Sequence, residues 1–265
     1  MHGSYYGKNQ SRLEENVVDK EGVVVMKIKW IGILTYIISF MFCSFHSQAA
    51  ARQISDNFKK VEDFRVQNVS VDPVVFRGKD ALRIALLPET AQGKPGVDYI
   101  DRDTLAIIPG TEGFHNGIID VDVIGQLSPT APDYARAFLG IAFRVADDIS
   151  QFETLYVRPT NARADDQVRR NHTLQYFSFP NYTFSRFRQE APERYESYAD
   201  LDMDGWTHIR IEIVDEKAKM YINGAVQPSL IVNDLKMRRD ATGSVGLWTE
   251  IGTIAYFSNL KVSRF

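Results

Sequence analysis

Apolar residues along this chain recur in short runs, many of them alternating with polar residues, and turn residues separate the runs. Runs of this length, without a helical period longer than a few turns, are typical of antiparallel sandwiches and barrels. The pattern predicts strands at residues 64–69, 81–87, 104–108, 117–124, 137–145, 152–157, 206–214, 217–222, 226–232, 244–249 and 254–262. Residues 51–60 are the only helix-like segment, and residues 90–96 and 127–133 are predicted loops. The predicted fold class is all-β, with consecutive strands paired.

Alternation within two of these runs assigns side chains to faces of the sheet. The predicted core positions are Thr207, Ile209, Ile211 and Ile213 in one run and Leu139, Ile141, Phe143 and Val145 in the other. The opposite face of the second run carries Arg144 beside Gly140 and Ala142, which suits either the floor of a ligand groove or the relief of strand crowding. Farther along, Asn223-Gly224 supplies the positive φ angles of a tight hairpin turn.

The carboxy-terminal strands resemble those of a known superfamily. The runs WTHIRIEIVDEKAKMYING and GSVGLWTEIGTIAYFSNLKV are similar to closing strands of the concanavalin A-like lectin/glucanase superfamily, which includes laminin-G-like and 3-keto-disaccharide hydrolase-type domains. The resemblance implies a two-sheet antiparallel jelly-roll sandwich with a concave, carbohydrate-facing surface. It covers residues 206–262, and its motifs specify fold more than chemistry.

The amino-terminal segment has the organisation of an export signal. Residues 26–51 contain a short basic start, an apolar run and then small residues, which is the order of a secretory signal peptide. The apolar run is shorter than the roughly 20 residues of a membrane span. We therefore expect a secreted or periplasmic protein without a stable membrane span after processing. Residues 1–25 are predicted to be an upstream extension, and residues 52–265 a single jelly-roll domain without Cys43, the sole cysteine.

Composition narrows the class of partner. The formal charge of −3 and the pI near 6.0 show no basic excess, so a nucleic-acid partner is not predicted. The chain contains 12 Tyr, 16 Phe and 3 Trp, and such rings serve both strand packing and sugar stacking. A polysaccharide or oligosaccharide is the predicted partner.

Residues 153–177 are the predicted site, because they concentrate polar side chains between two aromatic, strand-like runs. If Tyr156 and Arg158 share a groove face with Arg144, they offer a stacking ring and two forked donors for hydroxyl or carboxylate groups. The alternative is a solvated loop whose charges pair with each other. In that interpretation the loop residues that rim the groove are Arg163, Asp165, Asp166, Arg169 and Arg170. Residues 182–188 extend the same aromatic and basic chemistry or form an ordinary strand. The predicted substrate-binding residues are Arg144, Tyr156, Arg158, Asn161, Asp165, Asp166, Arg170, His172 and Tyr176.

Catalytic motifs are absent from the sequence. Glucanases of the resembling superfamily carry E-x-D-x-x-E on one strand; the nearest match here, Asp120-Val-Asp122, has Gly125 in the place of the third acid. The five histidines lack zinc-site spacing, and no G-x-S-x-G string occurs. No catalytic residue, metal site or cofactor is predicted, although a structural calcium ion stays open because loop oxygens leave little sequence signature.

Three functions fit these observations. The leading hypothesis is an exported carbohydrate-binding jelly roll without the glucanase catalytic motif. One alternative is a glycan-cleaving enzyme, a hydrolase or lyase, resembling the 3-keto-disaccharide hydrolases. The other is a laminin-G-like adhesion or structural module, which needs no pocket.

Overall fold

Two packed antiparallel sheets form the fold. The structure is a computed structural model that describes residues 53–55, 61–91 and 102–265. The strands are β1 Gln53–Ser55, β2 Arg65–Gln67, β3 Val69–Phe76, β4 Lys79–Leu86, β5 Leu105–Ile107, β6 Gly117–Leu127, β7 Leu139–Val145, β8 Phe152–Val157, β9 Leu174–Phe179, β10 Glu196–Ser197, β11 Thr207–Val214, β12 Lys217–Ile222, β13 Leu230–Val232, β14 Ser244–Thr249 and β15 Thr253–Arg264. The helices are α1 Pro159–Ala162, α2 Gln167–Asn171 and α3 Phe184–Glu190, and Val61–Asp63 is a 3₁₀ turn.

The strand order confirms the predicted two-sheet, all-β jelly roll. One sheet has the order β13-β12-β11-β6-β15-β4-β3, with β1 also paired to β15; the other has the order β10-β9-β8-β7-β14-β5-β2. Consecutive strands pair from β7 to β10 and from β11 to β13. The predicted pairing of consecutive strands is confirmed there, although the strand β10 itself was not predicted. The last strand, β15, lies between β6 and β4, so the chain ends inside its sheet and not at an edge.

The main core fills the space between the sheets, because each strand turns its apolar face inward. Ile209, Ile211 and Ile213 are fully buried there, which confirms the faces predicted for β11. A second apolar cluster, which includes Tyr156 and Trp248, lies on the outer face of the sheet that contains β7 and β8. That outer cluster continues toward the end of β8, where the candidate site begins.

The predicted faces of β7 are wrong at its carboxyl end. The pairing of β7 with β14 shifts register between Ser244 and Gly246, and Arg144 has a φ of 53°. A β-bulge adds one residue to a strand, and one extra residue reverses the faces of those that follow. Val145 therefore joins the outer cluster, while the Arg144 side chain is buried against Glu153.

The structure differs from the sequence-based prediction at three further places. The strand β3 was not predicted, because Pro73 interrupts its run; Pro is tolerated since β3 is an edge strand. The helix-like expectation for residues 51–60 is wrong at Gln53–Ser55, which pairs with β15, and residues 51–52 and 56–60 lie outside the described residues. Residues 184–190 form α3, not a strand. In the described ranges, no helix is both long and apolar enough to cross a membrane.

The turn at Asn223-Gly224 is confirmed, but its return strand is shorter than predicted. The two residues have φ angles of 52° and 72°, and the amide of Ala225 donates to the carbonyl of Ile222 at 3.1 Å. The residues paired in register with β12 are those of β13, and the amide of Ser229, just before that strand, donates to the carbonyl of Met220 at 2.8 Å. Pro228, which has no N–H to donate, precedes that strand.

Candidate functional site

A pocket of about 330 Å³ opens where β8 ends. We call it the arginine pocket. Its lining comes from the loop before β7, the end of β8 and all three described helices, so segments far apart in the chain build it. The lining residues are Tyr134, Arg136, Phe138, Arg158, Asn161, Arg169, His172, Phe184 and Arg188.

Local sequence places two of the helices at the pocket. Pro159, at the first position of α1, suits a helix start because its missing N–H would have no helical partner there. Asp166 caps α2, since its side chain accepts from the amide of Arg169 at 3.1 Å. His172 ends α2, and the helix therefore brings Arg169 and His172 to the pocket together.

Arg158 forms the floor of the pocket and is only 4% exposed. Its Nη1 donates to the carbonyl of His172 at 3.0 Å and to Oε1 of Glu196 at 3.1 Å. Its Nη2 donates to the hydroxyl of Tyr156 at 2.5 Å and to Oε1 of Gln175. Four protein acceptors therefore engage the four terminal N–H groups, and Arg158 is held as a positioning residue.

Aromatic rings surround this floor. The Arg158 guanidinium carbon lies 4.9 Å from the ring centroid of Tyr156, 5.7 Å from that of Phe184 and 6.0 Å from that of Phe138. The guanidinium of Arg188 lies 5.1 Å from the Phe184 ring. Cations at these distances are attracted to the ring faces, so the rings and arginines hold each other in place.

Glu196 on β10 ties the arginines together from behind the pocket. Arg188 donates from Nη2 to Oε1 at 2.6 Å and from Nε to Oε2 at 3.1 Å. Burial raises the pKa of the Glu196 carboxyl, but the hydrogen bond from Arg188 and the charge of Arg158 outweigh burial, and the pKa lies below its usual value. Glu196 is therefore ionised at neutral pH.

Two lining arginines have no such partner. No carboxylate of the described residues comes within 4.0 Å of Arg136 or Arg169; Nη1 of Arg136 donates only to the carbonyls of Asp133 and Ala135. Burial lowers the pKa of Arg136, and the positive charges of Arg169 and Arg158 lower it further. The buried Nε of Arg169 and the buried Oδ1 of Asn161 lack hydrogen-bond partners within the described ranges. Like charges thus converge on a pocket that also presents unsatisfied polar atoms.

His172 carries little positive charge at neutral pH. Burial lowers the pKa of its imidazole; the Glu196 carboxylate opposes this effect, and the charges of Arg188 and Arg158 add to it. Its Nε2 lies 3.5 Å from Oε2 of Glu196. The imidazole is therefore a neutral polar group in the pocket wall.

The structure brings together only part of the predicted site. Arg158, Asn161 and His172 line the pocket, and Tyr156 lies beneath it. Asp165 and Asp166 are exposed, and Arg170 donates from Nε to the carbonyl of Ala164, outside the lining.

The prediction that Arg144 shares the groove face is wrong, because the bulge in β7 turns it between the sheets. There it pairs with Glu153 at 3.4 Å, and the hydroxyl of Tyr176 donates to the same carboxylate at 2.7 Å. Both predicted site residues therefore lie in a buried polar cluster away from the pocket. Burial raises the pKa of Glu153, and hydrogen bonds from the amide of Met237 and from Tyr176 offset this in part.

Several residues of the site are not among the predicted substrate-binding residues. They are Tyr134, Arg136, Phe138, Arg169, Phe184, Arg188 and the supporting Glu196. Of these, Arg169 was expected only on the rim of the groove. The aromatic and basic composition of residues 182–188 was a usable signal for Phe184 and Arg188. No local signal marks Arg136 or Glu196, since both reach the site only through the packing of distant segments. The described residues contain no group of three His, Cys, Asp or Glu side chains that could hold a metal ion.

Solved structures of other proteins resemble this chain in fold. No protein-family model and no curated protein sequence matches the chain. A carbohydrate-binding module CBM66 from Bacillus subtilis is 12% identical, with 75% of this chain and 94% of that chain covered and a TM-score of 0.49. A Bacillus subtilis protein of unknown function with a galectin-like fold is 13% identical, covering 77% and 90%, with a TM-score of 0.47. A putative glycosyl hydrolase from Parabacteroides distasonis is 11% identical, covering 77% and 89%, with a TM-score of 0.41.

Proposed function

We propose that the arginine pocket binds an anionic unit of a polysaccharide or oligosaccharide. The observation that carries the proposal is the convergence of Arg136 and Arg169, neither with a carboxylate partner in the described part of the chain, on one pocket. Guanidinium groups bind carboxylate and sulfate oxygens through paired, charge-assisted hydrogen bonds. An anionic ligand would relieve the repulsion between these arginines, for which the described residues supply no carboxylate within 4.0 Å.

The remaining lining fits a sugar ring. Tyr134, Phe138 and Phe184 are half-buried, so each presents part of its ring to the pocket. Aromatic faces accept the apolar C–H faces of a sugar, and one polar handle on the ligand fixes its orientation. The unsatisfied Oδ1 of Asn161 is an acceptor suited to a sugar hydroxyl. The combination of cations, rings and one acceptor supports an acidic sugar over a simple inorganic anion.

Calorimetric binding of the full chain tests the proposal. The probes are a hexuronate monosaccharide and the same sugar after its carboxyl group has been reduced to an alcohol. We expect the acidic form to bind at least about tenfold more tightly, since each charge-assisted hydrogen bond contributes roughly 1.5 to 3 kcal/mol. The preference should shrink as salt is added. Equal affinities for the two forms would refute the proposal.

The glycan-cleaving alternative remains a prediction with less support from this pocket. Most glycosidases use two carboxyl groups, one of them with a raised pKa. Glu196 is the carboxylate at the arginine pocket, and its cationic neighbours lower its pKa. Chromatography of a hexuronate oligosaccharide after incubation with the protein would reveal cleavage. The adhesion-module alternative predicts no binding in the calorimetric experiment.

We also infer that the protein is exported and that its mature form begins near residues 50–52. The support is the basic, apolar and small-residue order of residues 26–51. Residues 1–52 lie outside the described residues, and the boundaries predicted there stay predictions. Amino-terminal sequencing of exported material is the test. Recovery of a membrane-bound chain that still carries residues 30–43 would contradict the inference.

A further inference from the structure

A second pocket of about 280 Å³ adjoins the arginine pocket. Its lining residues are Asn171, His172, Glu193, Glu196, Ser197 and Tyr198. His172 lines both pockets, and Glu196 lines the second while it binds Arg158 and Arg188 of the first. The two cavities are therefore neighbours on one surface, with the His172 and Glu196 side chains as their shared wall.

The side chains on the two sides of that wall differ in charge. Three arginines and three aromatic rings surround the floor of the first pocket, whereas the second offers carboxylate, hydroxyl and amide groups and no cationic side chain among its described lining. Glu196 is fully engaged by arginines, but no described cation lies within 4.0 Å of Glu193, which is exposed. A ligand in the second pocket would thus meet negative charge and hydrogen-bonding groups.

Tyr198 gives the second pocket a surface on which a sugar can stack. Its side chain is 43% exposed, so part of the ring faces the pocket and the solvent. An exposed tyrosine beside hydroxyl and amide groups provides a stacking face and polar contacts for one sugar unit.

We propose that the second pocket is a subsite for a neutral, hydroxyl-rich sugar linked to the acidic unit in the arginine pocket. This inference rests on the proposed function. A second acidic unit would approach Glu193, which has no described cation within 4.0 Å, and be repelled, whereas a neutral unit would stack on Tyr198 without that repulsion. The ligand class is therefore a glycan in which acidic and neutral units adjoin, and a homopolymer of acidic units is disfavoured.

Four probes test the subsite by calorimetry on the full chain: a hexuronate monosaccharide, the two mixed disaccharides in which a hexuronate and a neutral hexose are linked in either order, and a hexuronate homodisaccharide. We expect one mixed disaccharide to bind at least about tenfold more tightly than the monosaccharide, as one stacked sugar with its hydrogen bonds would give. The homodisaccharide should gain no more than about threefold, because its second charge is repelled.

Matched variants separate the two pockets. Tyr198→Ala should remove the gain of the mixed disaccharide and leave monosaccharide affinity unchanged, whereas Tyr198→Phe, which keeps the ring, should retain most of the gain. Glu193→Gln should raise the affinity for the homodisaccharide. Glu190→Gln, an exposed acid of α3 outside both linings, is the control and should change nothing.

The outcomes distinguish this inference from the proposed function. If the monosaccharide binds but no mixed disaccharide gains affinity, the subsite is refuted and the arginine pocket stands. The same conclusion holds if the gain survives Tyr198→Ala. If no acidic probe binds, the proposed function is refuted and the subsite falls with it.

Discussion

Arg158 donates from Nη1 to Oε1 of Glu196 at 3.1 Å, and both side chains are only 4% exposed. The two residues are 38 positions apart in the chain and join the end of β8 to the edge strand β10. Removing one member of a buried ion pair leaves the other charge desolvated and unpaired. The pocket floor therefore depends on a contact between distant segments. Arg158 has a carboxylate partner, whereas Arg136 and Arg169 have none among the described residues.

The first prediction concerns this pair. Arg158→Ala should lower the free energy of unfolding by about 3 to 5 kcal/mol, because it leaves Glu196 with less compensation in a buried setting. Denaturant titration followed by tryptophan fluorescence measures the loss. Arg186→Ala is the control, since Arg186 pairs with Glu190 on the exposed side of α3, and its stability should stay within error. Unchanged stability of the Arg158 variant would show that its four hydrogen bonds are not maintained in solution.

The second prediction concerns the unpaired arginines. Arg136→Gln and Arg169→Gln should each weaken binding of an acidic oligosaccharide at least about tenfold, through loss of charge-assisted hydrogen bonds. Neither variant should melt early, since neither arginine has a carboxylate partner in the described part of the fold. Arg210→Gln removes the same charge from the other sheet, where Arg210 lies near Asp120, and should bind like the parent. Equal binding by all three variants would remove the pocket from consideration.

The third prediction is a pH dependence of stability. The pKa of His172 is lowered by burial below its ordinary value of 6.5, so the unfolded chain binds a proton more readily than the folded one. The contribution of His172 to the free energy of unfolding is therefore fully present above pH 6.5. It is lost as the pH falls toward the pKa of His172 in the folded state. We expect His172→Gln to flatten the stability profile below pH 6.5 relative to the parent. Denaturant titrations at half-unit pH steps measure it, and parallel profiles would contradict the assignment.

The fourth prediction tests the corrected position of Arg144. Arg144→Met should lower the free energy of unfolding by about 3 to 5 kcal/mol, because Glu153 is then buried without its cation. Affinity for the acidic oligosaccharide should be unchanged at a temperature where the variant is folded. Both measurements are made on one preparation. Selective loss of affinity with normal stability would restore Arg144 to the binding site.

Replacing both partners gives an internal control for that experiment. In the double variant Arg144→Met, Glu153→Leu no buried charge is left unpaired, so part of the lost stability should return. A double variant no more stable than Arg144→Met alone would mean that packing, and not charge, dominates the cluster.

Strand periodicity predicted the sheets well where strands are regular. Along β11 the period of two is unbroken, and Thr207, Ile209 and Ile211 are buried as expected. Along β7 the same reasoning failed at Arg144 and Val145. The bulge that reverses their faces arises from the register with β14, a strand about one hundred residues later, and local alternation contains no trace of it.

The site could be predicted only in part for a similar reason. Residues 153–177 were singled out by their polar density, and Arg158, Asn161 and His172 do line the pocket. Polar density does not tell which charges have partners. Arg158 is saturated by groups of the protein, whereas Arg169 is not, although both belong to the same stretch. The difference arises because Glu196, on a distant strand, pairs with Arg158, whereas Arg169 lies near Arg136, a second cation that comes from another loop.

The sequence by itself thus determined the fold class, the inward faces of the regular strands and one segment of the candidate site. These depend on short-range periodicity and composition, which every window of the chain carries. Only the tertiary structure decided that Arg144 is buried with Glu153, that Arg158 is a supporting residue and that Arg136 and Arg169 are left to face the pocket. The physical reason is that desolvation and pairing of a charge depend on which distant groups pack against it, and packing is a property of the folded chain.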